Sequence, residues 1–431
     1  MLKRTLIVLC LLSNLCYAQQ RLTLPDAIAK ALQHNFDIRI ADVVLKQADA
    51  NNTPGNAGML PSVDANGSYR VGTNNVLNKL ASGQEQARPN AATSAIGASL
   101  DATWTVFDGG RMFLVRKQLN KQEELAEVQL KARVQSVVSQ VIQSYAEVVW
   151  RQQQQVAIDT GIGLAEVRMN ISRVQFESGS SAKVDYLQAR VDHNLRRTDS
   201  LNQQALIVQA LTGLNVLLGE ESDQFYMVDD SLQLNTSLQP MDKERLKEVN
   251  LSLDSARRSW ELSKLDESIA RTYHLPTVSL DAGYGYTRTT SAAGFALFSR
   301  SFGPSAGINV NMPLFRGGNI RRQAKVASLQ AMRAELSYER QNTELSRQYR
   351  SAWRNYEMSV AAYTLERENI QYAKENMNIQ KARFRVGLAT TIETREAENS
   401  YVQALVNLYT AAYNVKVNET RVLELENQLV R

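Results

Sequence analysis

The sequence predicts a mainly α-helical chain with a smaller β-strand portion, built from one structural repeat that occurs twice. Two observations carry this prediction. Phe-x-Gly-Gly begins at Phe107 and again at Phe315, and each copy lies between an alternating apolar run and a very long helical pattern. Only 8 prolines and 21 glycines interrupt the 431 residues, which favours long elements over several small domains.

The N-terminal segment, 1–18, has the pattern of a secretory signal peptide. A basic start precedes an apolar stretch from Leu6 to Leu12, and a small-x-small site ends at Ala18. We therefore expect this segment to be removed on export. Both cysteines of the chain fall in it, so the mature protein is expected to hold no disulfide and no thiolate metal site.

Composition narrows the function classes. The 49 Lys and Arg residues nearly balance the 44 Asp and Glu residues, which argues against a nucleic-acid partner. No stretch after the signal reaches the roughly 18 apolar residues of a membrane-spanning helix, so any membrane segment must consist of strands. The three histidines are scattered, and the mature chain has no cysteine nucleophile and no complete phosphate-loop motif. We therefore expect neither an enzyme nor a cofactor or metal site.

The two copies of the repeat align through landmarks with equal spacing. Four spans form two pairs of equal length: Asn35 to Pro61 with Asn250 to Pro276, and Phe107 to Phe176 with Phe315 to Phe384. We place the first repeat at residues 19–219, an acidic irregular linker at 220–245, and the second repeat at 246–431. Each repeat has the pattern of a helix, two strands, a long helix, a turn and a return helix.

Two strands are expected in each repeat. Apolar residues alternate with polar ones from Ile96 to Val106 and from Ile308 to Leu314, which is the period of a strand with one wet face. Partner strands follow the landmark proline of each copy. About ten residues suffice for a tilted strand to cross a bilayer, but the pattern alone leaves a soluble hairpin sheet open. The segments Thr73–Ala92 and Thr289–Phe302 are expected to be solvent-facing loops.

After each Phe-x-Gly-Gly the apolar spacing changes to alternating steps of three and four, the period of a coiled-coil seam. These steps are carried by Val134, Val138, Val141, Tyr145 and Val148 in the first repeat, and by Tyr349, Trp353, Tyr356, Val360 and Tyr363 in the second. No proline interrupts Arg111 to Phe176 or Asn319 to Phe384, which predicts helices about 100 Å long. Return helices are expected from about Val184 to Leu218 and from about Ile392 to the C-terminus.

In order and spacing these features resemble the TolC-like outer-membrane efflux proteins of Gram-negative bacteria. The resemblance rests on "LP" at the strand start, "FDGG" and "FRGG" at the join of strand and helix, and "RVQFESG" and "KARFRVG" at the far turn. It implies a homotrimer whose protomers each give four strands to a transmembrane twelve-stranded β-barrel, continued by a long periplasmic α-helical coiled-coil barrel. Closing the ring would also remove the strand edges that a single protomer exposes to lipid.

The resemblance further implies the exit duct of a tripartite efflux or type I secretion system in the outer membrane, extending into the periplasm. Such a duct passively conducts substrates that it receives from an inner-membrane transporter, of the RND, ABC or MFS type, through a periplasmic adaptor or membrane fusion protein. Two other interpretations are a trimeric coiled-coil surface stalk or adhesin and a simple outer-membrane pore. The paired strands favour a closed tube over a stalk. A simple pore would not explain the long helices.

The resemblance places the functional residues at two levels of the helical part. Adaptor docking is expected at the tip turns, at Phe176 and Gly179 in the first repeat and at Phe384 and Gly387 in the second, although ordinary helix-hairpin turns would have the same residues. The carboxylates of the narrowest aperture are expected a few residues further on. They are Glu393, Glu396 and Asp185, the first-repeat counterpart of Glu393, and the alternative for the two glutamates is a solvated helix face near Arg395 and Glu398.

Two further expectations come from the same comparison of motifs. The strand-to-helix junctions should bend at their glycines and place their phenylalanines near the inner lipid boundary; they comprise Phe107, Gly109, Gly110, Phe315, Gly317 and Gly318. At the tip, Phe384 and Ala389 stand where family members often have a tyrosine and a basic residue. Since neither side chain donates a hydrogen bond, a closed tip would be held by packing or by other contacts.

Overall fold

The computed structural model describes residues 20–79, 81–220, 226–229, 231–292 and 297–430. The predicted signal peptide, at 1–18, lies outside these ranges. Within them the elements follow in this order: β1 (Gln20–Leu22), α1 (Leu24–His34), α2 (Phe36–Asn51), β2 (Ser62–Lys79), β3 (Glu85–Phe107), α3 (Arg111–Glu177), α4 (Lys183–Leu218), β4 (Tyr226–Val228), α5 (Lys243–Val249), α6 (Leu251–Thr272), β5 (Thr277–Ser291), β6 (Phe298–Asn311), α7 (Asn319–Arg385) and α8 (Thr391–Leu425).

This order confirms the duplicated repeat. Two short helices, a pair of strands, a helix of 67 residues and a return helix occur in each half. The long helices α3 and α7 begin directly after the paired glycines and end within one residue of the predicted phenylalanines. Gly161 and Gly163 do not interrupt α3. None of the helices in the described ranges combines the length and apolar character of a membrane span.

The chain packs as two compact units, and each unit takes segments from both repeats. One unit consists of the described residues within Met1–Val43, Val128–Asp254 and Arg340–Arg431, and the other of those within Val44–Glu127 and Ser255–Glu339. We call them the helical unit and the sheet unit. The repeats are therefore units of sequence, whereas each packed unit needs both of them.

The sheet unit contains a four-stranded antiparallel sheet in the order β2-β3-β5-β6. The strands are longer than predicted. The first hairpin stays paired from Ser62↔Thr103 to Lys79↔Glu85, with a register shift between Asn74 and Val76, so most of the predicted loop Thr73–Ala92 is strand. Strand β6 likewise begins at Phe298, inside the other predicted loop. Backbone ladder bonds do not require the apolar alternation on which the loop prediction relied.

The two faces of this sheet differ in polarity. On one face Asp101 accepts hydrogen bonds from Asn66 (3.0 Å) and Ser99 (2.6 Å), and Asp281 accepts one from Thr103 (2.9 Å). The other face carries the apolar side chains of the alternating pattern, and these are exposed in the single chain: Leu100, Trp104, Leu280, Tyr284, Ile308 and Val310. The sheet is therefore amphipathic, with no apolar layer from the described part of its own chain over the apolar face.

In the helical unit the predicted seam of α3 forms the core. Val138, Val141 and Val148 are fully buried, and Tyr145 is buried and donates from its hydroxyl to the Leu22 carbonyl (3.1 Å). Val141, Tyr145 and Val148 form one hydrophobic cluster with Leu214 and Leu218 of α4. In α7 the corresponding seam includes the buried Tyr356. The coiled-coil periodicity thus identified the inward face of α3, whereas in α7 the other four predicted seam residues are only partly buried.

Two buried asparagines explain why Asn35 and Asn250 recur in the sequence. The Asn35 side chain donates to the Leu217 carbonyl (2.8 Å), and that of Asn250 donates to the Leu425 carbonyl (2.9 Å). Their side-chain oxygens accept from the first turn of the following helix, for example from the Leu253 backbone N–H (3.0 Å). Each asparagine therefore breaks a helix and ties the break to the end of the return helix of its own repeat.

The segment between the repeats lies along α7 and α8. The Tyr356 hydroxyl accepts from the Leu238 backbone N–H (3.2 Å), and the Tyr349 hydroxyl accepts from that of Met241 (2.7 Å). Tyr349 also donates to the Glu426 carboxylate (2.7 Å). Helix α5 begins at Lys243, inside the range predicted as linker. The division at 220–245 and the repeat boundaries remain predictions.

Candidate functional site

The two tip turns have the same backbone structure. Gly179 and Gly387 adopt φ values of 76° and 77°, in the left-handed region that glycine tolerates best. Each turn closes with the two bonds of a Schellman motif. The Ser180 N–H donates to the Gln175 carbonyl (2.8 Å) and the Gly179 N–H to that of Phe176 (3.0 Å), and the equivalent bonds around Gly387 measure 2.9 and 3.1 Å.

The structure brings the two predicted tip turns together. The Gln175 side chain, at the end of α3, donates to the Phe384 carbonyl at the end of α7 (3.3 Å). The phenylalanine rings differ: Phe384 is buried, whereas Phe176 is exposed and stacks on Tyr186 with 6.5 Å between ring centroids. Gly179 and Gly387 have open space around the position of a Cβ atom. The tip therefore presents exposed glycine backbone on two adjacent turns that a hydrogen bond links.

Glu393, a predicted aperture carboxylate, caps its own helix. Its carboxylate accepts from the Thr390 backbone N–H (2.7 Å) and hydroxyl (2.9 Å), while its N–H donates to the Thr390 hydroxyl (3.2 Å). This is a capping box at the N-terminus of α8. The backbone hydrogen bond from Thr390, assisted by its hydroxyl, lowers the pKa of the Glu393 carboxyl. The side chain is exposed and stays ionised at neutral pH.

The other two predicted carboxylates have different surroundings. Glu396 is exposed and has no hydrogen-bond or ion-pair partner among the described residues. Asp185 is half-buried and accepts from the Ser181 hydroxyl (2.8 Å). Helix α4 begins after Ala182 without a side-chain cap. No group of three or more His, Cys, Asp or Glu side chains in the described part of the chain is placed to hold a metal ion.

A buried ion cluster next to these carboxylates joins three helices. Arg168 of α3 is 1% exposed, and its Nε lies 3.0 Å from the Glu398 carboxylate of α8, which is 2% exposed. Its Nη1 lies 3.0 Å from Asp192 of α4. Arg395 approaches Asp192 at 3.7 Å, and Arg196 donates to the Asn399 side chain (2.5 Å). We call these groups the Arg168 cluster.

Burial dominates the electrostatics of the Arg168 cluster. Desolvation raises the pKa of the Glu398 carboxyl against the opposing charge of Arg168, and desolvation lowers the pKa of Arg196. A buried pair of this kind contributes little net stability, but loss of one partner leaves a buried charge uncompensated. The cluster is therefore a strong constraint on how α3, α4 and α8 pack.

The Arg168 cluster bears on the alternative interpretation of the two glutamates. That alternative places Glu398 near a solvated helix face, but Glu398 is buried and faces inward. Glu398 lies on a face of α8 whose other buried residues up to Ala411 are small or apolar: Thr394, Ala397, Ala404, Leu405 and Ala411. A carboxylate on such a face requires a buried cation, and the structure identifies that cation as Arg168 of α3.

The strand-to-helix junction of the first repeat is packed. Asp108 is buried, and its carboxylate accepts from the Met112 backbone N–H (3.1 Å) and from Arg111 (3.2 Å), which caps α3. Gly109 and Gly110 have φ values of 75° and 81°. A Cβ atom on Gly109 would lie 2.6 Å from the Leu275 side chain. Gly109 is thus needed for the turn and also for the close approach of Leu275.

The junction of the second repeat has the same turn, but no described side chain packs against its glycines. Gly317 and Gly318 have φ values of 58° and 76°, and no described atom lies within 4 Å of a Cβ atom built on either. Leu314 and Phe315 are 88% and 85% exposed, compared with 44% for Phe107. All four glycines have positive φ values at these turns. The placement of the phenylalanines at a lipid boundary remains a prediction.

Comparison with known proteins identifies a family that matches most of the chain. A family model described as "Outer membrane efflux protein" matches residues 27–220 and 244–427. The two matched ranges correspond to the two repeats and leave out the segment between them.

Individual proteins are similar over most of the chain. It is 22% identical over 348 residues to the outer membrane protein TolC of Escherichia coli strain K12, which covers 77% of this chain and 69% of that protein. It is 23% identical over 366 residues to the proteases secretion protein PrtF of Dickeya chrysanthemi, covering 80% and 77%. The fold matches the crystal structure of the Campylobacter jejuni CmeC outer membrane channel with a TM-score of 0.79 at 18% identity, over 94% of this chain and 85% of that one.

Proposed function

The chain belongs to the outer membrane efflux protein family, and from this premise we propose that three copies close into one duct that carries substrates out of the periplasm. The protein is an outer-membrane exit channel of an efflux or a type I secretion system. The proposal concerns how the channel is assembled and where it meets its partners. One observation carries it: surfaces that the duplication makes equivalent are covered in one repeat and exposed in the other.

The helical unit provides the clearest case. Five apolar residues along α7 and directly at its end recur every seventh position and are between 52% and 69% exposed: Met358, Leu365, Tyr372, Ile379 and Val386. We call them the α7 stripe. Their counterparts in the first repeat lie on α3, where Ala157 and Leu164 are buried and Trp150 stacks on Tyr413 of α8 at 4.8 Å. The α3 face is thus covered by the return helix of the other repeat.

The same contact made by the α7 stripe would need the return helix of the first repeat, α4. That helix has exposed apolar residues of its own: Val184, Leu187, Val191, Leu195, Leu201 and Val208. Both surfaces are bare in the single chain. A seven-residue apolar repeat is the signature of a helix that packs against another helix. The α7 stripe therefore fits α4 of a second copy, and repetition of this contact gives a ring.

The sheet supports the same closure. Strands β3 and β5 pair across the two repeats, which leaves β2 and β6 as edges. By duplication β6 would pair with β2 of the next copy in the same antiparallel sense. The bare junction around Gly317 would then receive the exposed Leu60 of that copy, as Gly109 receives Leu275. Three copies would supply twelve strands and leave no edge in lipid.

In such a trimer the tip turns would dock the adaptor, and the carboxylates of Glu393 and Glu396 would line the aperture, as the sequence predicts. The adjacent Gly179 and Gly387 turns offer exposed backbone to a periplasmic adaptor. Three copies of Glu393 and Glu396 would form carboxylate rings that attract cations. Transport through the duct is passive, and an inner-membrane transporter supplies the energy. The channel thus acts as the last passage of a three-part system.

The test combines assembly with export. We expect Leu365→Glu with Tyr372→Glu to abolish trimers, because six carboxylates would be buried against α4. In a strain that lacks the gene, the double variant should restore neither resistance to dyes, detergents and antibiotics nor secretion of proteins. Native mass spectrometry of the detergent-purified protein gives the number of copies.

Gln371→Glu provides the matched control. It adds a carboxylate to the same turn of α7 at an exposed position, about 100° around the helix from Tyr372. This variant should form trimers and restore export. Trimers of normal stability in the double variant would contradict the assignment of the α7 stripe to the ring contact.

A further inference from the structure

Two arginines stand directly opposite each other on the apolar face of the sheet. Arg288 of β5 pairs with Arg300 of β6 in the antiparallel register. Arg288 has the same parity along its strand as Leu280 and Tyr284, and both arginines are exposed. Like charges at directly opposed positions destabilise a sheet. The alternation of apolar residues along the strands does not explain why two arginines face each other at this position.

No acidic side chain is available nearby to neutralise this pair. The sequence holds no aspartate or glutamate between Asp281 and Glu335. On the neighbouring strand β3, the register partner of Arg288 is Ile96, and that of Ile96 on β2 is Tyr69. Within the described residues neither arginine forms an ion pair. The two positive charges are thus free to hold an anion from outside the chain.

Aromatic rings on both sides hold the arginines in place. The Arg288 guanidinium lies 5.0 Å from the Phe298 ring centroid, and the Arg300 guanidinium lies 5.7 Å from that of Phe302. The adjacent register pair on the same face is Tyr286 with Phe302. Cation–π contacts of this length orient a guanidinium and leave its N–H groups free to donate.

The distance of the two arginines from the start of β5 equals the height of the apolar band of a membrane strand. Ten residues separate Val278, near the start of β5, from Arg288. At about 3.4 Å per residue and a strand tilt of about 40°, this corresponds to about 25 Å along the membrane normal. The apolar band of outer-membrane strands is also about 25 Å tall. Since the helices follow the opposite ends of these strands, Arg288 and Arg300 lie at the outer boundary.

We propose that Arg288 and Arg300 form a binding site for the phosphate groups of the outer-leaflet glycolipid, lipopolysaccharide. The guanidinium groups donate charge-assisted hydrogen bonds to phosphate oxygens, and Phe298, Phe302 and Tyr286 contact the apolar part of the lipid. The inference rests on the proposed function, because it takes the apolar face to contact the outer membrane.

The experiment measures lipid binding to the detergent-purified trimer by native mass spectrometry. The probes are bisphosphorylated lipid A, its enzymatically dephosphorylated form, and inorganic phosphate. The wild-type protein should bind the bisphosphorylated form at least about tenfold more tightly than the dephosphorylated one, as expected for two charge-assisted contacts. Arg288→Gln with Arg300→Gln should lose this preference, and Arg288→Lys with Arg300→Lys should keep part of it.

Arg70→Gln is the matched control. Arg70 lies on β2, one register step from the level of Arg288, on the polar face of the sheet. This variant loses the same kind of charge and should keep the wild-type preference. An equal loss in Arg70→Gln, an equal affinity of wild type for both lipid forms, or full displacement of the lipid by equimolar inorganic phosphate would overturn the proposal.

The two proposals fail in different ways. If the ring assembly is wrong, either the wild-type protein gives no trimers or the Leu365 and Tyr372 double variant forms trimers of normal stability. If only the lipid site is wrong, the Arg288 and Arg300 variants form normal trimers, restore export and bind both lipid forms as wild type does.

Discussion

The strand-to-helix junction is packed in the first repeat and bare in the second. Leu275 covers Gly109, whereas Gly317 has no described neighbour within 4 Å. The helices show the same difference, since Leu164 on α3 is buried and its counterpart on α7, Tyr372, is 63% exposed. Equivalent residues build equivalent turns and helices in both repeats. The position of a repeat in the chain decides which of its faces is covered, and the uncovered faces mark where another copy belongs.

The largest effect is expected at the Arg168 cluster, which has no equivalent in the opposite pair of helices. The counterparts of Arg168 and Glu398 are Asn376 and Arg190, and both are exposed. Glu398→Ala should cost about 3–5 kcal/mol, because it removes the most deeply buried partner of Arg168 and leaves its Nε unpaired, with only Asp192 still in contact. Arg190→Ala should change stability by less than about 0.5 kcal/mol. Urea unfolding measures both free energies.

A second variant separates charge from packing at this cluster. Arg168→Met combined with Glu398→Leu removes both charges and should recover most of the loss, since an apolar pair avoids the cost of desolvation. If the combined variant is as unstable as Glu398→Ala, the cluster acts through packing and the electrostatic explanation is wrong.

The junction glycines come next. Gly109→Ala should cost about 2–5 kcal/mol, from a positive φ and the collision with Leu275. Gly317→Ala should cost about 1–2 kcal/mol in the dissociated protomer, where only the positive φ matters. Thermal unfolding of protomers and of trimers tests the comparison. A larger loss for Gly317→Ala in the trimer than in the protomer is expected if the next copy covers this junction; equal losses would contradict that cover.

The carboxylates should differ between repeats in their effect on conduction. Glu393→Gln with Glu396→Gln should raise the concentration of multivalent cations needed to block single channels by about tenfold, because two rings of charge are lost. Asp185→Asn, in the first repeat, should have a smaller effect, since that carboxylate is partly covered and held by Ser181. Planar bilayer recordings measure the block. Unchanged block in the double variant would place these glutamates outside the constriction.

The smallest effect concerns the first turn of α8. The pKa of Glu393 is lowered in the folded protein from the ordinary value of 4.5, so its cap contributes stability above that value and loses it as pH falls through the lower folded value. Hydrogen exchange, corrected for intrinsic rates, should show increased opening of this turn in acid. The first turn of α4, which has no side-chain cap, should change less. Glu393→Gln should abolish the difference between the turns.

Much of the site was predictable because it depends on local signals. Glycine at 179 and 387 fixes a Schellman turn through the bonds of neighbouring residues, and the ends of α3 and α7 follow within one residue of the prediction. The lengths of the strands were predicted less well. The segment beyond Thr73, in which apolar and polar residues do not alternate, continues the ladder to Lys79, because pairing through the backbone does not depend on the alternation that reveals a strand in the sequence.

The repeat, its order of elements, its turns and the inward seam of α3 can be read from the residues alone. These features follow from hydrogen bonds within one turn and from periodicity along one helix. The packing of distant segments determines which equivalent faces are covered, and it buries Glu398 against Arg168, 230 residues away. Burial of a residue depends on which distant segment of the chain packs against it. Two copies of the same pattern therefore have the same shape but different surroundings.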